Sequence, residues 1–402
     1  MTESEPLPPF SSHLVTDLSD PYPVYEPYRR LDPVHQGSPP GTWYVFDHAG
    51  SRTVLRSRDF QRSAPSSPGP TSRENTVTTL VRDWLVFMDP PRHTDLRALF
   101  TRQFTPDLVE GLRPRIRQIT QNLAAEMVRN PAPDLVSDFA APLPLLVISE
   151  LLGVPSDMRA WFREQAANLQ EASTSRAERA PGGQARSESA ARALIAYFSA
   201  ETERPGRKDR EDLIGLLLRA EEKDQGLTRP VVIANCIHLL SAGHETTTGL
   251  IGKAFLALMR APEQADLLRA EPELLPGAVE EFLRYDPPVQ MVSRWAIKDT
   301  PVGERVIPRG AKTVVVLGSA NRDERHFTSP DMLNLRRDAR GHQAFGFGPH
   351  FCLGSRLAVA EAEIAIGELL HLAPRLHTSL PIRYEDDLVF HGPRSIPVFF
   401  AE

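Results

Sequence analysis

Cysteine is nearly absent from this chain: Cys236 and Cys352 are the two in 402 residues. So few thiols exclude a disulfide framework and a cysteine-rich zinc or iron–sulfur site, so each must be explained singly. Long apolar runs are missing as well. No stretch reaches about 18 uninterrupted apolar residues, and the most apolar long segment, Val231 to Met259, carries Asn235, His238, His244, Glu245 and Lys253. It reads as a buried helix of a soluble protein, with no membrane span. An excess of positive charge is lacking: 46 basic against 52 acidic residues leave a net charge of −6, which argues against a surface given over to nucleic acid. The N-terminal Met-Thr-Glu-Ser-Glu-Pro has neither the basic nor the apolar region of a signal peptide, so a cytoplasmic location is expected. No period of 20 to 50 residues repeats, which disfavours solenoids and propellers.

Proline is what the chain has in plenty, 37 residues alongside 24 glycines. The pair stay below the ~25–30% that marks low complexity, so the prolines punctuate a globular chain. From Arg92 to about Leu283 apolar residues recur at spacings of three and four. The pattern breaks at Pro106, Pro114, Pro131, Pro133, Pro155, Pro181, Pro205, Pro230, Pro262 and Pro276, where helices are predicted to begin or end. Strand-like pieces are Thr42 to Phe46, Val289 to Ala296 and Thr313 to Leu317, and a last helix is predicted from Leu353 to about Leu372. Ser63 to Asn75 is a loop by composition, Glu171 to Ser189 a mobile connection, and Glu201 to Glu211 a charged one. Length alone suggests two or three domains. No linker separates halves, however, and the expectation is one mainly α domain over 1–402 with small sheets and a cofactor between its helices.

The densest chemical signal is Phe345-Gly-Phe-Gly-Pro-His-Phe-Cys352-Leu-Gly354. Glycines around the cysteine permit tight turns and close approach of a flat ligand, and the helix that follows offers its N-terminal dipole to the sulfur, favouring thiolate. A lone thiolate serves as nucleophile or as axial ligand to haem iron; a buried structural cysteine is the third reading. Gly346-x-Gly348 starts like a dinucleotide fingerprint, but Phe351 stands where the third glycine belongs. His350 and Cys352 are zinc-ligand types, with His342 alone nearby as a further one.

The spacing Phe345-x-x-Gly348-x-x-x-Cys352-x-Gly354 resembles the haem-ligand loop of the cytochromes P450, and Gly348-x-His350-x-Cys352-x-Gly354 resembles its bacterial soluble branch. The resemblance implies the P450 fold: a single triangular helical domain with small β-sheets, and haem b between the long central helix and the loop whose Cys352 binds the iron. Elsewhere, Glu281 and Arg284 are spaced i, i+3 on a helix opened by Pro276, which alone would be a surface ion pair. In the family the same Glu-x-x-Arg is a buried structural pair completed by a basic residue, here Arg337. Ala320-Asn-Arg-Asp323 also matches. The resemblance further implies that His93, Arg97, Arg294 and His350 hold the haem propionates, which need cationic or hydrogen-bonding partners.

Ala242-Gly243-His-Glu245-Thr246-Thr lies inside the apolar segment. Glycine weakens a helix, and a threonine hydroxyl reaches the carbonyl four residues back, here Ala242, which would open the helix locally. The stretch resembles the family's dioxygen site. There Thr246 would hydrogen-bond oxygen at the iron and Glu245 would relay protons. His238, Ala242 and Thr246 share a face at i, i+4, i+8, so His238 is expected to face substrate, with Asn235 adding polarity; the plain alternative is a core histidine. Cys236 falls off that face and reads as packing. By resemblance, further pocket walls are the loop Arg62 to Trp84, the helices around Glu164 to Arg186, the segment Val289, Gln290, Met291 and Val292, and a late turn at Val389 to His391 that includes Phe390.

No flavin, nicotinamide or iron–sulfur signature is present, so the resemblance implies electrons from a separate ferredoxin and its NAD(P)H-dependent reductase. Arg92, Arg97, Arg102, Arg113, Arg115, Arg117 and Arg356 form the expected basic docking patch. The expected protein is a monomeric monooxygenase using O2 to hydroxylate or epoxidise a secondary metabolite of macrolide, polyketide or peptide type. Oxidative coupling without oxygen insertion, and a haem sensor or carrier that does not turn over, are the alternatives.

Overall fold

A computed structural model describes residues 6–64, 75–102, 104–171, 182–223, 227–372, 376–378 and 382–400. Most of the Ser63 to Asn75 loop and part of the Glu171 to Ser189 connection lie outside them. The chain divides into two compact units, Met1–Ser67 with Lys253–Cys352 and Leu380–Arg394, and Pro68–Gly252 with Leu353–Ser379 and Ser395–Glu402.

In the first unit, Thr42–Val45 runs parallel to Lys312–Val316 and antiparallel to Val34–Gln36, and Met291–Ala296 pairs antiparallel with both Lys312–Val316 and Phe60–Gln61. Val292 lies opposite Val315 and Ser293 opposite Val314. One side of this sheet buries Val45, Val315 and Ala296 with Val54 and Leu55. On the other, Phe10, Tyr25, Tyr28, Tyr44 and Phe46 form an aromatic cluster with Val314 and Met291. Phe10 meets Tyr44 at 4.7 Å and Phe46 at 5.0 Å in edge-on contacts, the geometry that aromatic quadrupoles favour.

The second unit is helical. Pro106 follows an N-cap threonine, whose Thr105 hydroxyl accepts the Leu108 amide at 3.2 Å. Pro142 likewise stands at the start of Pro142–Leu152, a helix closed by Gly153 at φ 70°, where glycine avoids the penalty a side chain would meet. Pro114 departs from expectation: it lies within Pro106–Arg129 and does not end that helix.

The connections also differ from their sequence reading. Helix Gly183–Glu203 begins inside the expected mobile stretch. The charged stretch Glu201 to Glu211 is exposed over most of its length but pinned at Arg207. Arg207, 3% exposed, donates to Glu201 at 2.8 Å, to Asp212 at 2.6 Å and to the Leu152 carbonyl at 2.9 Å. A guanidinium presents five donors in a planar fork, so one arginine satisfies all three acceptors. The apolar segment forms one unbroken helix, Arg229–Arg260, without a break at Gly243. Among the described residues no helix is long and apolar enough to cross a membrane.

Candidate functional site

The loop before Cys352 is a tight reversal in the first unit. Gly346 and Gly348 take φ of 71° and 73°, and the Cys352 amide donates to the Phe345 carbonyl at 2.9 Å, closing the loop. A Cβ on Gly348 would lie 2.6 Å from the Leu55 carbonyl oxygen, at the end of helix His48–Arg56. Glycine is therefore required there for both conformation and space. Beside it, the Arg52 guanidinium lies 4.2 Å over the Phe347 ring, a cation–π contact that packs the loop onto the same helix. Cys352 is half-buried, and a Cβ on Gly354 would meet nothing within 4 Å.

Glu281 and Arg284 sit on helix Leu275–Tyr285, both fully buried. Arg284 donates to Glu281 through Nε at 2.6 Å and Nη2 at 2.9 Å. Its other donors reach the Asn321 and Pro330 carbonyls at 3.0 and 2.7 Å. Arg337 adds a bond to Glu281 at 3.2 Å, and the Asn334 amide another at 3.0 Å. A buried carboxylate with this many donors is the arrangement in which a buried ion pair is tolerated. The Ala320-Asn-Arg-Asp323 segment extends the scaffold, because Asn321 Oδ1 accepts the Gln343 amide at 2.7 Å and Asp323 the His48 amide at 2.9 Å.

In the second unit the long helix carries the other motif. Thr246 Oγ1 donates to the Ala242 carbonyl at 3.1 Å, and Ser241 and Thr248 make the same four-residue return to Ile237 and His244. These bonds form without interrupting the helix. Ala242 is exposed and Gly243, Glu245 and Thr246 half-buried, although the helix is mostly buried before and after them. Burial pushes the His244 imidazole down to about 4, so the ring is neutral near pH 7.

His238, one turn before Ala242, makes no bond to a backbone carbonyl among the described residues. It stacks on Trp84 at 4.8 Å and 19°, and burial pushes it down to about 4. Asn235 corrects the expectation of a polar pocket face. Its Oδ1 accepts the Leu85 amide at 2.9 Å, and its Nδ2 donates to the Asp83 and Val231 carbonyls at 2.8 and 2.9 Å. The amide is a clamp on the chain around Trp84. Cys236 is fully buried, and burial pushes its thiol up to about 12, which suits packing.

Of the expected substrate contacts, Gln290 is fully buried, donating to Tyr22 Oη at 3.1 Å and the Pro287 carbonyl at 2.9 Å, and Met291 packs in the aromatic cluster. Val289 and Phe390 face each other across an isolated bridge and stay half-buried.

His93, buried, and Arg97, half-buried, stand a turn apart on helix Arg92–Thr101. Arg294, buried, lies on the sheet of the first unit, and His350 ends the turn Gly348–His350 there. The expected basic patch is weaker than its arginine count. Arg92 pairs with Asp83 at 2.8 Å, Arg113 with Glu110 at 3.0 Å and with Glu363, and Arg115 with Glu150 at 2.9 Å. Arg102, Arg117 and Arg356 are exposed. Sequence reasoning passed over Glu280 and considered His342 only as a zinc ligand, yet the two are bonded at 2.6 Å. Among the described residues no group of three histidine, cysteine or acidic side chains could hold a bare metal ion.

A sequence model described as Cytochrome P450 matches residues 186–372. The chain is 35% identical over 388 residues to the biotin biosynthesis cytochrome P450 of Bacillus subtilis (strain 168), covering 95% of this chain and 97% of that one. With the cytochrome P450 monooxygenase PikC of Streptomyces venezuelae it shares 38% over 365 residues, 89% and 85% of the two chains. Among solved structures, the cytochrome P450 PksS of the Bacillus subtilis 168 bacillaene polyketide synthase superposes with a TM-score of 0.87 at 32% identity, covering 95% and 97%.

Proposed function

The chain belongs to the cytochrome P450 family of monooxygenases, and from that membership we propose that Cys352 is the thiolate ligand of haem b in an enzyme that hydroxylates or epoxidises a small organic molecule. The observation that carries this is the loop closed by the Cys352 amide on Phe345, with Gly348 where a side chain would collide and Gly346 at φ 71°. The donor set fits as well. A single sulfur, with no cluster of further ligands among the described residues, suits a metal that arrives inside its own chelator. When bound, the haem supplies the iron at which dioxygen is cleaved.

The chain's own residues then have separate tasks. Phe345 and the two glycines orient the thiolate. His93, Arg97, Arg294 and His350 neutralise the propionates. Gly243 leaves room beside the long helix, Thr246 offers a hydroxyl there, and Glu245 passes protons toward it. Substrate is held by side chains that include His238, Val289 and Phe390. The substrate is a biosynthetic intermediate of macrolide, polyketide or peptide type, a reading supported by relatives named for biotin biosynthesis and for a polyketide synthase. Electrons come from a separate ferredoxin and its NAD(P)H-dependent reductase, and the 402 residues act as one domain in the cytoplasm. The test is the spectrum of the reduced, carbon-monoxide-bound protein. A red-shifted thiolate band that vanishes in Cys352→Ala is expected; its absence from the parent, or its survival in the variant, refutes the assignment.

A further inference from the structure

Upstream of Cys352, His342 is bonded at both ring nitrogens. The Ala344 amide donates to Nδ1 at 3.1 Å, and Nε2 lies 2.6 Å from Glu280 Oε2. Because Nδ1 accepts, the ring proton is on Nε2 and is donated to the carboxylate. The imidazole is 4% exposed and the Glu280 side chain 36%, so the donor side of the bond is shielded from water, and a charged acceptor makes it stronger than a neutral one. Glu280 stands on helix Leu275–Tyr285 beside Glu281, whose carboxylate is the hub of the buried arginine pair. Two neighbouring glutamates thus reach from one helix to two points of the same connection, Asn334 to Arg337 and His342.

The neighbouring backbone is fixed from other sides. Gln343 Nε2 donates to the His48 carbonyl at 2.9 Å, its amide to Asn321 Oδ1 at 2.7 Å, and the Gly346 amide to the Gln343 carbonyl at 2.8 Å. Ala344 is held through His342. Phe345, which follows it, supplies the carbonyl that receives the Cys352 amide. A path of bonds therefore runs from Glu280 through His342 and Ala344 to the peptide that sets the direction of Cys352.

We propose that His342, fixed by Glu280, is a positioning residue for the Cys352 thiolate: it locks the Ala344–Phe345 backbone and so aims the sulfur. The inference rests on Cys352 being the haem ligand. Groups that orient a metal ligand from behind typically change metal affinity or activity 10–100-fold when removed.

The experiment uses the haem-loaded enzyme. His342→Phe removes both bonds, His342→Asn keeps an acceptor for Ala344, His342→Gln keeps a donor for Glu280, and Glu280→Ala removes the anchor. Arg340→Ala, which breaks the exposed Arg340–Asp338 pair at 2.6 Å, controls for general disturbance of the loop. Haem transfer to apomyoglobin, the reduced carbon monoxide spectrum and the haem reduction potential are read together with melting temperature. For His342→Phe, haem release about tenfold faster than the parent is expected, with part of the red-shifted band lost and a shifted potential. Asn, Gln and Glu280→Ala should fall between, and Arg340→Ala should match the parent. His342→Phe and Glu280→Ala combined should be less than additive. A lowered melting temperature with unchanged release, band and potential in the variants would mean a merely structural role and overturn the proposal. If His342→Phe yields no folded protein, the Asn, Gln and Glu280→Ala variants decide by the same criteria. Survival of the band in Cys352→Ala would instead overturn the underlying haem-ligand assignment.

Discussion

Replacing Lys253 by methionine is expected to destabilise the first unit by an amount its hydrogen bonds set. Lys253 is 4% exposed, and its ammonium has three partners: Asp286 Oδ1 at 2.8 Å, the Pro287 carbonyl at 2.9 Å and His391 Nδ1 at 2.6 Å. His391 is pushed down to about 4, by burial first and by Lys253 second. It is therefore neutral near pH 7, accepting from Lys253 and donating through Nε2 to the Leu18 carbonyl. Methionine fills the space and, among the described residues, leaves the Asp286 carboxylate with donors from Tyr22 at 2.7 Å and Gln290 at 3.3 Å. Breaking a buried pair by removing one partner costs about 3–5 kcal/mol. With an unfolding entropy of roughly 2.1 cal/mol/K per residue over the whole chain, that is a fall of about 4–6 °C in melting temperature.

The pH dependence checks the cause. In the parent, burial raises the Asp286 pKa, but Lys253, His391 and the bonds from Lys253 and Tyr22 outweigh it, so the carboxyl lies below its usual range. Its contribution is present above the unfolded value near ~3.9 and is lost only as pH falls through the lower folded value. Without Lys253 the burial effect dominates and the folded pKa rises above the unfolded one. The variant then loses stability as pH rises from about 4 through that raised value, so its deficit is smaller at acid pH than at pH 8. Thermal unfolding by circular dichroism at several pH values, on haem-loaded protein at one scan rate, measures both. Asp286→Asn added to Lys253→Met should recover part of the loss. A fall under about 1 °C, or a deficit independent of pH, would refute the reasoning.

Gly348→Ala places a side chain at φ 73° and 2.6 Å from the Leu55 oxygen; beyond the roughly 1–2 kcal/mol for that conformation, the collision must displace the loop, and the haem-to-protein ratio of the purified variant should fall sharply. Glu281→Gln removes the charge that Arg284 and Arg337 share, at about 3–5 kcal/mol, and should give little soluble holoprotein, whereas Arg337→Ala should be milder; soluble yield and melting temperature compare them. Thr246→Val loses a hydroxyl bonded within its own helix, so stability should change by less than about 1 kcal/mol while product per electron consumed drops. Since Arg113 and Arg115 are already paired, changing both to glutamine should alter association with the proposed ferredoxin less than changing Arg102, Arg117 and Arg356; stopped-flow rates at several ionic strengths distinguish the two sets.

What could be read in the sequence was local. The Cys352 loop and the Thr246 motif lie within short spans, so their spacing could be set against the cytochrome P450 pattern, and the Thr246 return to the Ala242 carbonyl was legible from the four-residue spacing. Glu281 and Arg284 were legible as a pair for the same reason, being one turn apart. The partners of Gln290 and Met291 were not legible, because adjacent residues near a strand start point to different surroundings and only the folded register decides which side is core. Asn235 looked like a pocket residue because a helical face records direction and not the partner waiting there. The Arg207 network joins residues far apart in the chain, including the Leu152 carbonyl, and no periodicity signals a side chain bonded to a distant main-chain oxygen. Glu280 and His342 were hidden likewise, on either side of a long intervening segment.

The Asn235 clamp has a consequence for how such a chain can diversify. It grips main-chain groups of residues 83 and 85 and no atom of Trp84. The ring at position 84 is therefore an interchangeable insert in a fixed mount: substitution there can resculpt the surface presented to His238 without detaching the loop. A change at position 235 would loosen the mount while leaving the insert untouched.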